Sequence, residues 1–327
     1  MNKLTICICA YNAEQYIEQT LESLFRQTCR DFDLWLINDC STDNTVAVAE
    51  RFFKEHNWAE ARIISLPENG GLANARRYAE IHVETEFLGF IDADDISLPD
   101  AIEKMFQKVR SDKDCMTVSC FCEYISPEAK IIGGGIFIGP TDKDQFMKLA
   151  AAEKRMFIPP FNISRVKYIR QAGCRAVAGF PPGKPRYQDM CEDLDLWTRM
   201  SDFYKDGKYI VVIPEVLFQY RKMPSSMSAN GHAMSMRMRH IKCNLKRRRA
   251  GLEELTFIDY TAGLTRRQKI KYAYVDWGQG FYKQAGFHYL QKNYCRFLWY
   301  LGCAALFAPG YFLQKLGKNV FPVFRNH

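Results

Sequence analysis

Phe87-Leu88-Gly89-Phe90-Ile91-Asp92-Ala93-Asp94-Asp95 is the stretch whose reading decides the fold. A short apolar run ends abruptly in three carboxylates, the pattern of a buried strand emerging at a sheet edge. Carboxylates this close repel one another unless a cation sits among them. Oxygen-only ligands suit a hard divalent ion such as Mg²⁺ or Mn²⁺. In open α/β sheets, ligands bind beyond the carboxyl ends of the strands, which is where these acids fall. The competing reading is a solvated acidic turn leading into a helix that starts at Ser97-Leu98-Pro99.

Working outward, the same rhythm repeats. Leu4-Thr5-Ile6-Cys7-Ile8-Cys9 is strand-like and ends at Ala10-Tyr11-Asn12. Ala13 to Gln27 then carries Tyr16, Ile17, Thr20, Leu21, Leu24 and Phe25 at helical spacing. Asp33 to Ile37 predicts a second strand, stopping at Asn38-Asp39-Cys40-Ser41-Thr42-Asp43, whose hydroxyls and carboxylate can cap the next helix. Arg62 to Leu66 gives a third strand, Asn69-Gly70-Gly71 a turn, and Leu72 to Val83 and Ala101 to Val109 two further helices. Alternation at this spacing predicts a doubly wound, mostly parallel α/β sheet. The first turn contains no glycine, so a Gly-x-Gly-x-x-Gly dinucleotide site is excluded, and there is no P-loop. Gly133-Gly134-Gly135 reads as a turn or flexible lip.

A chain of 327 residues, 47% hydrophobic and 25% charged, can bury one large core or two smaller ones. Its charge is divided. Through Gly231 there are 28 Lys+Arg against 33 Asp+Glu, and from His232 onward 17 against 4. The acidic front and basic back point to an anionic partner for the C-terminal part. Twelve cysteines show no CxxC spacing. Cys7/Cys9 and Cys120/Cys122 share sheet faces, which favours buried free thiols over disulfides or zinc. Met1-Asn2-Lys3 leads straight into a strand with no signal peptide, so the chain is expected in the cytoplasm.

Four segments stand in one order: Ile8-Cys9-Ala10-Tyr11-Asn12, Asn38-Asp39-Cys40-Ser41-Thr42-Asp43, Glu68-Asn69-Gly70-Gly71-Leu72-Ala73-Asn74-Ala75-Arg76 and Asp92-Ala93-Asp94-Asp95. Together they resemble the inverting family 2 glycosyltransferases of bacterial surface-polysaccharide synthesis, which have the GT-A fold. That resemblance implies a nucleotide-sugar donor, UDP-sugar ahead of GDP or dTDP, cradled by Ala10, Tyr11, Asn12, Glu14, Asp39, Asn69, Gly71, Asn74, Arg76, Asp92 and Asp94. Tyr11 would stack near the base and Asp39 would accept hydrogen bonds from uracil or ribose. Asp94 and Asp95 would hold Mn²⁺ or Mg²⁺ against the diphosphate.

Further along, Met156 to Phe161 and Ile169 to Gly173 resemble the family's acceptor-side segments, and Glu192-Asp193-Leu194-Asp195-Leu196-Trp197 resembles its Glu-Asp-x-Asp-Leu-Trp signature. A sugar hydroxyl attacking an anomeric carbon needs a base, which in the family is the Asp corresponding to Asp193, with Glu192 orienting it or holding the acceptor. The residues alone also allow an acidic first helical turn favoured by the helix dipole. Tyr220 to Ser228 resembles the family's diphosphate-closing segment, with Arg221, Ser226 and Ser228 matching and Met223 in place of its usual His. The expected organisation is a catalytic domain over 1–230, divided into a donor half (1–112) and an acceptor half (113–230), and a helical extension over 231–327.

That extension is basic over Met234 to Arg249, with further cations at Arg266, Arg267, Lys269 and Lys271. Phe297 to Ala308 is apolar nearly all round and shorter than the roughly 20 residues a membrane span needs. Aromatic residues flanked by Arg296, Lys315 and Lys318 suit a helix lying among lipid headgroups, and packing on the catalytic domain is the alternative. Peripheral attachment to the inner membrane implies a saccharide or lipid-linked saccharide acceptor. Two rivals remain: a sugar-nucleotide-forming nucleotidyltransferase, and a nucleic-acid binder using the basic helices, although no nucleic-acid partner is expected.

Overall fold

The computed structural model describes residues 3–223, 231–290 and 292–313. Ser226, Ser228, Lys315 and Lys318 lie outside the described residues.

The first half follows the alternation read from the sequence. β1 (Leu4–Ala10), α1 (Ile17–Phe25), β2 (Asp33–Asn38), α2 (Thr45–Glu55), β3 (Ala61–Ser65), α3 (Leu72–His82) and β4 (Phe87–Asp92) succeed one another. β1 pairs in parallel with β2 and β4, and β2 with β3. β1 is buried on both faces apart from the half-buried Cys9, as a central parallel strand must be. α1 buries Ile17, Thr20, Leu21 and Leu24 as predicted, but it starts four residues later than the periodicity suggests. Ala13 to Tyr16 instead form a turn, in which Tyr16 N–H and Ile17 N–H both donate to the Ala13 carbonyl (2.9 Å each).

The second half comprises β5 (Ile96–Ser97), α4 (Ala101–Ser111), β6 (Cys115–Ile125), β7 (Ile131–Ile136), α5 (Lys143–Ala151), β8 (Asn162–Arg165), α6 (Val166–Gln171), α7 (Glu192–Met200) and β9 (Tyr209–Arg221). Among the described residues these strands complete a nine-stranded sheet ordered β3-β2-β1-β4-β8-β6-β9-β5, with β7 paired to β6. This half departs from the expected mostly parallel arrangement. β8 is antiparallel to both β4 and β6, β7 is antiparallel to β6 and β5 to β9, while β6 and β9 are parallel. The hairpin at Ser126–Lys130, closed by Ser126 N–H donating to the Lys130 carbonyl (2.8 Å), reverses the chain between β6 and β7. Gly133 to Gly135 lie within edge strand β7 rather than in a free lip. A Cβ at Gly135 would come within 2.0 Å of the Cys122 carbonyl oxygen, so side-chain-free backbone is what lets the pair form.

One core cluster runs through the sheet and its covering helices, and it includes Cys7, Cys115, Cys120 and Cys122, all free thiols. α8 (Gly231–Arg249) and α9 (Phe257–Ala262) build a smaller cluster of Met236, Phe257 and Tyr260 against Phe180 and Tyr187. α10 (Arg266–Leu290) and α11 (Tyr294–Phe307) form a hairpin beyond them. Among the described residues no helix is long and apolar enough to cross a membrane.

α8 corrects the sequence reading of a free basic patch. Arg237 is 1% exposed and faces the Asp195 carboxylate (3.5 Å). Arg239 pairs with Asp276, and Arg248 and Arg249 both donate to Asp202 (2.8 and 2.7 Å). Their partners lie tens of residues away: Arg237, Arg248 and Arg249 tie α8 to acids that precede β9, and Arg239 ties it to Asp276 of α10.

Candidate active site

The sheet register brings the predicted segments to one edge. Cys9 is paired with Asp92 and Ala10 with Asn38, so the turns after β1, β2 and β4 leave the sheet side by side. Ala10 is buried at the end of β1, and the next residue, Tyr11, is 51% exposed and able to stack on a planar ligand. Asn12, at φ 51°, receives Thr42 N–H on its Oδ1 (2.8 Å) and donates its own N–H to Ser41 Oγ (3.0 Å). Glu14 accepts from Asn44 N–H and Nδ2–H (2.9 Å each). Both side chains therefore lock the first turn to the second.

Asp39 is 3% exposed, and its two oxygens accept from Gly70 N–H (2.9 Å) and Gly71 N–H (2.8 Å). Burial pushes its carboxyl above the ordinary range, against the pull of those two donors. Asn69 donates to the Asp39 carbonyl (3.0 Å) and accepts from Arg186 (2.5 Å), and Asn74 packs over Gly70. Asp189, which the sequence reading missed, accepts from Ala73 N–H (2.9 Å) in the first turn of α3. Gly71 has φ +90°, and a Cβ there would lie 2.3 Å from Asp189 Oδ2. Gly71→Ala is therefore expected to cost about 2 kcal/mol or more, through backbone strain and loss of this cap. Urea unfolding checks it; an unchanged midpoint would show that the loop relaxes freely.

At the acidic turn, Asp95 is 1% exposed and its Oδ1 accepts from Arg221 N–H (2.9 Å) at the end of β9. Asp94 is partly buried. Burial, and then the charge of Asp92, pushes Asp94 up to about 6 and Asp95 well above the usual carboxylate range. Two carboxylates made this proton-hungry by burial and mutual repulsion fit a hard divalent cation. Among the described residues no three His, Cys, Asp or Glu side chains converge as a metal cluster. Arg221 is 2% exposed. Its side chain donates to the carbonyls of Asp94 (2.7 Å), Ser126 (3.1 Å) and Pro127 (2.7 Å) and to Gln19 Oε1 (2.9 Å). In this arrangement it buttresses the acidic turn and does not offer the phosphate contact expected of it.

The second predicted acidic segment comes to the same place. α7 begins with Glu192 and Asp193, behind Cys191 in the left-handed conformation (φ 56°). Arg76, on α3, pairs with both Glu192 (2.5 Å) and Asp92. Arg175 pairs with Glu80 and lies 3.5 Å from Glu192. Burial pushes Glu192 up, but the two guanidiniums outweigh it and hold the carboxyl below its ordinary value. Asp193 is only partly covered, and one oxygen accepts from Leu194 N–H (2.6 Å). Burial and then the neighbouring Glu192 charge raise it to about 7, the value a general base needs near neutral pH. Glu80 and Arg175 were not singled out from the sequence. A signal existed in α3, where Arg76 and Glu80 sit four residues apart among the buried Ala73, Ala75 and Ala79.

This mixed sheet with acidic turns at one edge is the GT-A fold. Over 93% of the chain and 91% of the other, it superposes on the solved structure of S. aureus TarS 1–349 in complex with UDP-GlcNAc (TM-score 0.55, 14% identity). A mannosyltransferase from Pyrobaculum calidifontis, solved with GDP-Man and Mn²⁺, aligns over 99% of the chain and 81% of its own (TM-score 0.53, 15% identity). The model of glycosyl transferase family 2 matches residues 5–171, and the chain belongs to that family. Among curated relatives, the teichoic acid poly(glycerol phosphate) polymerase of Staphylococcus epidermidis is 45% identical over 95 residues, 29% of this chain. The matched part is 13% of that relative's length.

Proposed function

We propose that the chain transfers a sugar, with inversion, from a nucleotide-sugar to a hydroxyl of a saccharide or lipid-linked saccharide, in building a surface polysaccharide. The observation that carries this reading is Arg76. One buried guanidinium bridges Asp92 of the acidic turn and Glu192 of α7, holding a donor edge and a base-bearing helix against each other. Tyr11 would stack on the base and the Asp39 turn would meet the uracil or ribose, with UDP-sugar the preferred donor. Asp94 and Asp95 would hold Mn²⁺ or Mg²⁺, which when bound supplies positive charge beside the departing diphosphate. Asp193 takes the proton of the acceptor hydroxyl, whose oxygen forms the new bond to the anomeric carbon. The bond from that carbon to the diphosphate oxygen breaks, and its electron pair leaves with the nucleoside diphosphate. Glu192, fixed by two arginines, stays charged and orients Asp193. The unit over 1–230 would carry this chemistry, and the extension over 231–327 would attach it peripherally to the cytoplasmic face of the inner membrane.

Thermal denaturation with UDP, GDP, dTDP and UDP-sugars, each with Mn²⁺ and with EDTA, tests the donor side without an acceptor. Stabilisation by one nucleotide that disappears with EDTA is the expected result. No stabilisation by any of them would sink the reading.

A further inference from the structure

The α10–α11 hairpin has an uncovered outer surface of unusual composition. The inner face of α11 is spoken for: Tyr300 stacks on His288 (5.2 Å), and Phe307 lies against Phe281 and Tyr274 (5.4 and 5.5 Å). Ala304 and Ala308 are buried, and a Cβ at Gly278 would sit 2.4 Å from that of Ala308, so the two segments meet closely. The opposite face should be polar on a helix that ends in water. It carries Leu298, Trp299 and Leu306 instead, 64%, 71% and 78% exposed, spaced one and eight residues apart and so on one side of the helix. Trp277 of α10 packs on Phe307 at the seam of the hairpin (5.9 Å) and still leaves 55% of its surface exposed. A patch of this kind marks a surface that something else covers.

Charge selects what covers it. Residues 263–313 contain seven Lys+Arg and one Asp or Glu, and that acid, Asp276, is buried in its pairing with Arg239 and His232. Arg266, Arg267, Lys269 and Lys271 at the start of α10 are all exposed. A second copy of the chain would bring the same cations against these, which opposes self-association. A nucleic acid would match the charge but would leave Leu298 and Leu306 in water. An anionic bilayer satisfies both features: its headgroups meet the cations and its acyl boundary takes the aromatic and aliphatic side chains.

Building on the peripheral-membrane part of the reading above, we propose that the outer face of α11, with Trp277, beds into the headgroup region of an anionic lipid bilayer. The hairpin lies in the plane of the membrane rather than crossing it.

The test is flotation of the full chain with phosphatidylcholine vesicles, with and without phosphatidylglycerol, followed also by tryptophan emission. The unaltered protein should float only with the anionic vesicles, with a blue-shifted emission. The triple variant L298S/W299S/L306S, which alters only exposed side chains, should lose vesicle affinity by roughly 100-fold. Its circular dichroism and its thermal stabilisation by UDP with Mn²⁺ should match those of the unaltered protein. Undiminished binding by the triple variant, or no binding by the unaltered protein, would overturn the proposal. So would a dimer seen by light scattering that the triple substitution dissolves without any vesicle binding. Vesicle binding by a protein that no nucleotide stabilises would leave this surface standing and remove the donor reading instead.

Discussion

Asp193→Asn is expected to lower turnover on the order of 10²–10⁴-fold while donor binding stays within error of the unaltered protein. Asparagine keeps the shape and the hydrogen bond from Leu194 N–H but cannot take a proton. The pH profile sharpens the expectation. With Asp193 raised to about 7, the active form is the deprotonated one, so turnover should climb about tenfold per pH unit below 7 and level off above it. Stability moves the opposite way. A carboxyl raised from 3.8 to about 7 binds its proton more tightly folded than unfolded, so it favours the folded state at low pH. That advantage is lost as pH rises from about 4 through 7. The Asn variant has no such loss and should be at least as stable at pH 8, which separates a catalytic defect from a folding one. Turnover unaffected by the substitution would take Asp193 out of the mechanism.

Arg175→Leu is expected to be the most destabilising of the single changes considered, at about 3–5 kcal/mol, a large part of the roughly 5–15 kcal/mol that holds a typical domain. Glu80, at 0% exposure, would keep the hydrogen bond from Arg175 N–H (2.8 Å) but lose its countercharge. The double variant E80Q/R175M removes both charges together and should recover much of the loss, because the cost lies in the stranded carboxylate rather than in the missing bridge. Arg175 also helps to hold Asp193 and Glu192 down, so a surviving single variant should have its pH profile displaced upward. Chemical denaturation of both variants decides the point. Equal losses in the single and double variants would show that the guanidinium contributes packing and not charge balance.

Much of the site was legible because its signals are local. An apolar run ending in Asp92, Asp94 and Asp95 states a strand and its edge in nine residues, and the turns after β1 and β2 are equally short-range. Glu192 and Asp193 stood out only through the family resemblance, since acids at a helix start are equally what the helix dipole favours. Several partners assigned to a ligand turned out to be occupied by the protein. Asn12, Glu14 and Asn69 brace neighbouring loops, and Arg221 braces the acidic turn. The motif gave their position but not what their hydrogen bonds were spent on.

The sequence by itself determined the alternation of strand and helix through β4, the buried free thiols, and the acidic turn after β4, because periodicity and turn chemistry act over a few residues. Only the tertiary structure decided which charges stay free. Arg76 and Glu192 meet across 116 residues of chain, Arg221 and Asp95 across 126. A buried charge must find a partner wherever the fold supplies one. The cations of α8 were thereby drawn inward, while those at the start of α10, with no ion pair to an acid among the described residues, stay exposed.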